Sequence, residues 1–143
     1  MEAGGRARAP LPLTVDTAAG EQHEGRFARV RGRIAGKGTN RGGDYLRLQA
    51  QGTASPAQIE VFVAERHGDR FGLDRFAEGD AIEVTGVVGQ YDFEAPYDEY
   101  YQIEPRGRVD LAQVGWPSTY LRAALLILAG GGLVGGILVI GLP

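Results

Sequence analysis

The sequence predicts a mainly β domain of five short strands followed by one long apolar helix, and three observations carry that prediction. Five stretches between Phe27 and Ile103 alternate apolar and polar residues with a period of two, the spacing that puts successive side chains on opposite faces of a strand. Glycines fall inside the first of these stretches (Gly32) and inside the fourth (Gly86, Gly89), where a strand must bend or bulge. Ala123 to Leu142 then gives twenty residues without a charge, about 30 Å as a helix, the hydrocarbon thickness of a bilayer.

In chain order, residues 1–25 are rich in Ala, Gly, Pro and charge and read as a flexible N-terminal arm, in which Leu11, Leu13 and Val15 alternate and could add an edge strand. The first strand puts Ala28, Val30, Gly32 and Ile34 on one face and Arg29, Arg31 and Arg33 on the other. The glycine-rich stretch from Gly36 to Gly43 is a loop by composition. Leu46 and Leu48 mark a second strand, Ile59, Val61 and Val63 a third, Ile82 and Val84 a fourth, and Tyr101 and Ile103 a fifth. Arg108 to Leu111 extends the fifth after a break at Pro105 to Gly107. Between the third and fourth strands the segment from Ala64 to Phe76 is polar, with Phe71, Leu73 and Phe76 as its buried positions. This divides the chain into the arm, a β domain over 26–112, a short linker over 113–119 and a transmembrane helix over 120–142.

Five short strands with a helical piece between the third and fourth is the order of the OB fold, a small Greek-key barrel. The chain resembles that family from Phe27 to Leu111 through Arg29-Val-Arg-Gly-Arg-Ile34, Asp44-Tyr-Leu-Arg-Leu48 and Phe76-Ala-Glu-Gly-Asp-Ala-Ile-Glu-Val-Thr-Gly-Val-Val88. The resemblance implies a ligand groove over the second and third barrel strands, flanked by the loops between strands one and two and between strands four and five. It places Arg31, Arg33, Lys37, Arg41, Tyr45, Arg47 and Phe62 along that groove. Seven of the fifteen basic residues lie between Arg26 and Arg47, with Asp44 the only acid among them. Arginines interleaved with aromatics suit stacked bases and phosphates; the alternative is a solvated face whose arginines pair with acids on a neighbouring strand. Anionic lipid headgroups are a third partner for such a face.

The loop from Tyr91 to Tyr101 holds five of the twelve aromatics and four acids. Tyr91, Phe93 and Tyr97 are its ligand-binding candidates, and Tyr100 or Tyr101 could instead plug the barrel end. Asp92, Glu94, Asp98 and Glu99 match no known cation-loop spacing, so no metal or other cofactor is expected. Cysteine is absent, which removes disulfides, thiolate metal sites and cysteine nucleophiles. No nucleophile–base pair and no phosphate-cradling loop is visible, so no enzyme activity is expected. The net charge of −3 argues against generic binding to duplex DNA.

The apolar run has Trp116 and Tyr120 at its entrance as an interfacial belt and Arg122 placed to reach headgroups. Within it Gly131 with Gly135, and Gly132 with Gly136, form small-xxx-small steps suited to close helix packing against a second copy or another membrane protein. The first fifteen residues lack the apolar core of about 7–15 residues that a secretory signal needs, and Arg106, Arg108 and Arg122 precede the run; both lean to a cytoplasmic barrel. A likeness to the front ends of bacterial membrane sensors leans the other way. The expected function is a membrane-tethered, non-catalytic OB-fold binding module. The alternatives are a sensory or assembly subunit of a membrane signalling protein and, for a cytoplasmic barrel, single-stranded nucleic-acid binding.

Overall fold

The computed structural model describes residues 8–52, 54–92, 95–96 and 99–134. Its strands are β1 (Leu11–Leu13), β2 (Phe27–Asn40), β3 (Gly43–Gln49), β4 (Gln58–Ala64), β5 (Ala81–Gln90), β6 (Tyr101–Pro105) and β7 (Leu111–Gln113). The helices are α1 (Val15–Ala18) and α2 (Ser118–Val134). β2, β3, β4, β6 and β5 pair in that order, and β5 pairs back onto β2 to close a five-stranded barrel. All of these pairings are antiparallel except β4 with β6.

The five predicted alternations are the five barrel strands. Ala28, Val30 and Ile34 of β2, Leu46 and Leu48 of β3, and Ile59, Val61 and Val63 of β4 point inward. Ile82, Val84 and Val88 of β5 and Tyr101 and Ile103 of β6 join them in burial. Burying such branched side chains completely is worth about 1.5–3 kcal/mol each.

β2 is long enough to pair with two neighbouring strands in succession and so close the barrel. Its first half, Phe27 to Arg33, pairs with β5, and its second half, Arg33 to Asn40, pairs with β3. The register shifts between Ile34 and Gly36, so the extra residue, Ala35, sits three positions beyond the glycine expected to mark it. Gly32 and Gly86 are instead places of close approach. A Cβ on Gly86 would lie 2.4 Å from the Glu104 carbonyl oxygen, and one on Gly32 3.0 Å from that of Gln49.

Residues 8–25 do not form a free arm. β1 lies parallel to the first half of β2, and α1 sends Val15 and Ala18 into the core. Thr14 and Thr17 close this one-turn helix reciprocally, the Thr14 hydroxyl accepting from the Thr17 N–H (3.2 Å) and the Thr17 hydroxyl from the Thr14 N–H (3.0 Å). The small aliphatic positions of the arm find a barrel end to fill, and burying them outweighs the segment's polar composition. The segment after β4 is two 3₁₀ turns, Glu65–Phe71 and Leu73–Arg75, with Phe71 and Phe76 buried beneath it. A further 3₁₀ turn over Arg108–Asp110 breaks the expected extension of the fifth strand, and β7 pairs with β5 instead.

α2 begins at Ser118, two residues before the expected span, and its seventeen described residues rise about 25 Å. Among the described residues no helix is long and apolar enough to cross a membrane; residues 135–142 of the expected span, with Gly135 and Gly136, lie outside them. Gly131 and Gly132 fall within α2.

The linker is not loose. The buried Asp80 carboxylate accepts from the Ser118 N–H at 2.7 Å and the Ala77 N–H at 2.9 Å, while the Ser118 hydroxyl donates to the Glu78 carbonyl at 3.0 Å. Asp80 therefore caps α2 from the barrel side, satisfying a helix N–H with an anion at the positive end of the helix. Burial pushes the Asp80 carboxyl up, but the N–H groups of Ala77 and Ser118 and the side chains of Ser118 and Gln113 outweigh it and hold it below its ordinary value.

A carboxyl with a lowered native pKa stabilises the fold above its unfolded pKa, about 3.9, and loses that contribution as pH falls through the native value. Urea melts of the wild type should therefore weaken on acidification below about pH 4. Asp80→Asn should cost about 1–2 kcal/mol at neutral pH and flatten part of that acid slope. An unchanged slope in the variant would remove Asp80 from the account.

Candidate nucleic-acid interface

β3, β4 and β6 lie side by side, and on their outer face they form the floor of an open groove of about 660 Å³. Tyr45 of β3 is the register partner of Phe62 of β4, and Glu60 of β4 that of Gln102 of β6. The end of β2 adds Asn40, the two-residue turn between β2 and β3 adds Arg41 and Gly42, the segment after β4 adds Arg66, and the segment joining β5 to β6 adds Tyr91 and Tyr100. These registers order the groove: a hairpin end with Arg41 and Arg66, a middle with Tyr45, Phe62, Glu60 and Gln102, and a far end with Tyr91 and Tyr100.

Local chemistry explains each placement. Asn40 Oδ1 accepts from the N–H groups of Gly42 (2.8 Å) and Gly43 (3.1 Å), an Asx turn that holds Arg41 at its tip. The Glu65 N–H donates to the Gly42 carbonyl at 2.9 Å, which brings Arg66 beside that turn. Tyr45 lies across the backbone of β2: a Cβ on Gly38 would meet its hydroxyl at 2.7 Å, so any larger residue there would displace the ring. The Arg47 guanidinium sits 5.6 Å from the Tyr45 ring centroid and pairs with Glu60 at 3.6 Å, bracing the ring from one side. Tyr100 has φ +54°, a left-handed conformation that turns its ring outward (68% exposed) while the next residue, Tyr101, is buried in the core. Tyr91 is exposed to a similar degree.

Of the residues the sequence nominated, the structure brings Arg41, Tyr45, Phe62 and Tyr91 together and sets Arg47 against Tyr45. Arg31, Arg33 and Lys37 are elsewhere. Arg31 Nε meets Glu83 Oε2 of β5 at 2.5 Å, and Arg29 approaches the same carboxylate at 3.5 Å. Arg33 donates to the Gly79 carbonyl and Lys37 Nζ to the Phe76 carbonyl at 2.9 Å. These are cross-strand pairs and loop fastenings, and the bend in β2 leaves its first-half arginines on the β2–β5 side of the barrel, away from the groove. Phe93 and Tyr97 lie outside the described residues. Arg66, Tyr100, Glu60, Gln102 and Asn40 were not nominated, because their convergence depends on which loops fold toward the β3–β4 face. Arg41 and Arg66 have no carboxylate partner among the described residues. The groups whose protonation is shifted (Arg75, Asp80, Arg106 and Asp110) all lie away from the groove. Asp110 is the strongest ion-pair partner among them, with Arg106 donating to both its oxygens at 3.0 Å and holding it below its ordinary value.

No family model and no curated protein matches the sequence. Among solved structures, a Leishmania major Friedlin protein assigned as an aspartyl-tRNA synthetase superposes with a TM-score of 0.53 at 9% identity, covering 82% of this chain and 23% of that one. The S. pombe Stn1–Ten1 complex gives 0.47 at 12% identity over 76% of this chain and 72% of that one. An aspartyl-tRNA synthetase from Entamoeba histolytica gives 0.48 at 14% identity over 79% and 26%. The first likeness is one of fold alone. This chain spans under a quarter of the length of that protein, so what matches is a barrel-sized part of it.

Proposed function

We propose that the chain is a non-catalytic binding module whose groove takes single-stranded nucleic acid. The observation that carries this is the groove's composition: four aromatic rings, Tyr45, Phe62, Tyr91 and Tyr100, share one open surface with Arg41 and Arg66. Stacking rings and unpaired cations are the two components that sequence-tolerant single-strand binding needs. A duplex hides its base faces and offers these rings nothing to stack on. With a net charge of −3 on the chain, attraction must come from local cations rather than from a global field.

Fluorescence anisotropy with a labelled mixed-sequence dodecamer and its duplex tests this. Tyr45→Ala and Phe62→Ala should each weaken single-strand binding by about 5- to 150-fold, the loss of one base–aromatic stack of about 1–3 kcal/mol. Arg41→Ala and Arg66→Ala should each make the slope of log K against log salt shallower by about 0.7. Arg31→Ala, which breaks a pair on the β2–β5 side of the barrel, should change affinity by less than about twofold, as surface pairs of this kind contribute little. Equal binding of duplex and single strand, or an Arg31 effect as large as that of Phe62, would sink the reading.

A second reading, in which the barrel is held at a bilayer, is favoured by α2. Trp116, Tyr120, Leu121, Leu125 and Leu126 are exposed at its start, at the head of a twenty-residue uncharged run. Large apolar side chains in a row are costly to leave in water. The full chain should float with phosphatidylcholine liposomes in a density gradient, and Leu125→Glu with Leu126→Glu should reduce flotation. A wild type that stays at the bottom of the gradient contradicts tethering.

A further inference from the structure

We propose that the groove discriminates among bases, favouring those with an exocyclic amino group, cytosine foremost, over uracil and thymine. The inference rests on the single-strand reading above and concerns the polar atoms of the same floor. Two polar side chains, Glu60 and Gln102, lie side by side between the aromatic rings of the groove. A carboxylate has no donor, and the Glu60 contact with Arg47 uses Oε1 at 3.6 Å, leaving Oε2 as an acceptor. The Gln102 amide nitrogen donates to Glu104 Oε1 at 2.7 Å. Because a carboxylate only accepts, the nitrogen must be the atom turned to Glu104, which leaves the amide oxygen and the second amide N–H for a ligand. The middle of the groove thus offers two acceptors, the Glu60 carboxylate and the Gln102 amide oxygen, against one amide donor.

Apart from that N–H and the Arg47 guanidinium beside Tyr45 and Glu60, the groove's donors are gathered elsewhere. Arg41, Arg66 and the Asn40 amide nitrogen lie at the hairpin end, since Asn40 Oδ1 is taken by the Gly42 and Gly43 N–H groups. That end suits phosphates. The tyrosine hydroxyls donate or accept as their partner requires and do not discriminate. A base stacked in the middle therefore meets acceptors along its polar edge. Cytosine presents its N4 amino group there, and a carboxylate accepting from that group is an established mode of base readout. Adenine presents N6 in the same sense. Uracil and thymine present O4 where cytosine has its amino group, an acceptor against an acceptor, and keep only the N3–H, flanked by two carbonyls, as a donor.

Cytosine and uracil are pyrimidines of nearly equal stacking area, so comparing them isolates the polar contribution. The experiment is anisotropy of the full chain with labelled oligo(dC) and oligo(dU) dodecamers at one salt concentration near neutral pH. The wild type should bind oligo(dC) roughly tenfold more tightly. Glu60→Gln, which adds a donor, should bring the ratio to within about twofold, chiefly by improving oligo(dU) binding. Gln102→Leu should lower the ratio part of the way, and Glu83→Gln, on the β2–β5 side of the barrel, should leave it unchanged. Wild-type binding of both oligomers with equal affinity overturns the base preference and leaves the single-strand reading standing. Binding of neither overturns both. A cytosine preference that survives in the Glu60→Gln, Gln102→Leu double variant overturns the assignment to these two acceptors.

Discussion

The bend in β2 is the constraint on which the rest of the structure depends. One strand of fourteen residues pairs with β5 along its first half and with β3 along its second, and Arg33 pairs with both Gln49 and Ala81. Closing five strands requires such a shared strand, because a flat sheet of this length would leave two edges unpaired. The glycines follow from it. Where β2 crosses β3 and β5 crosses β6, backbone comes so close to backbone that a methyl group at Gly32 or Gly86 has no room.

The same bend decides what the surface can do. It splits a run of basic residues that looks continuous in sequence into two populations. Those before the bend face the β1–β2–β5–β7 side and are engaged: Glu83 holds Arg29 and Arg31, and the Gly79 carbonyl takes Arg33; Lys37, just past the bend, is engaged by the Phe76 carbonyl. Arg41, beyond the bend, reaches the β3–β4–β6 face, where the aromatic rings are. The strap of residues 76–80 that Arg33 and Lys37 fasten also carries Asp80, the anchor of α2. The basic half of β2 is therefore structural, and the groove draws its cations from the hairpin tip and the segment after β4.

Much of the fold was legible in the sequence. Period-two alternation locates strands because a strand half-buried against one core has no other way to segregate its side chains, and all five barrel strands appear where that alternation falls. The arm was misread because composition reports solubility, whereas Val15 and Ala18 are buried by the shape of a barrel end that no local window contains. The site was legible in part. Tyr45 and Phe62 follow from strand parity alone, being the outward residues of the second and third barrel strands. Arg66, Tyr100 and Gln102 reach the groove through a loop contact, a left-handed backbone conformation and a parallel strand pairing. The first and last join positions far apart in the chain, and the second is a backbone conformation that a tyrosine rarely adopts, so no spacing rule signals them.

The central claim is that ligand contact falls on the β3–β4–β6 face and not on the arginine-bearing β2–β5 face. Backbone amide chemical-shift mapping, with isotopically labelled full-length chain titrated by an unlabelled single-stranded oligonucleotide, tests it most directly. The account predicts progressive shifts at Tyr45, Phe62, Arg66 and Gln102, with Arg29, Arg31 and Thr85 unmoved. Shifts centred on Arg29, Arg31 and Thr85, with the groove residues silent, would contradict it.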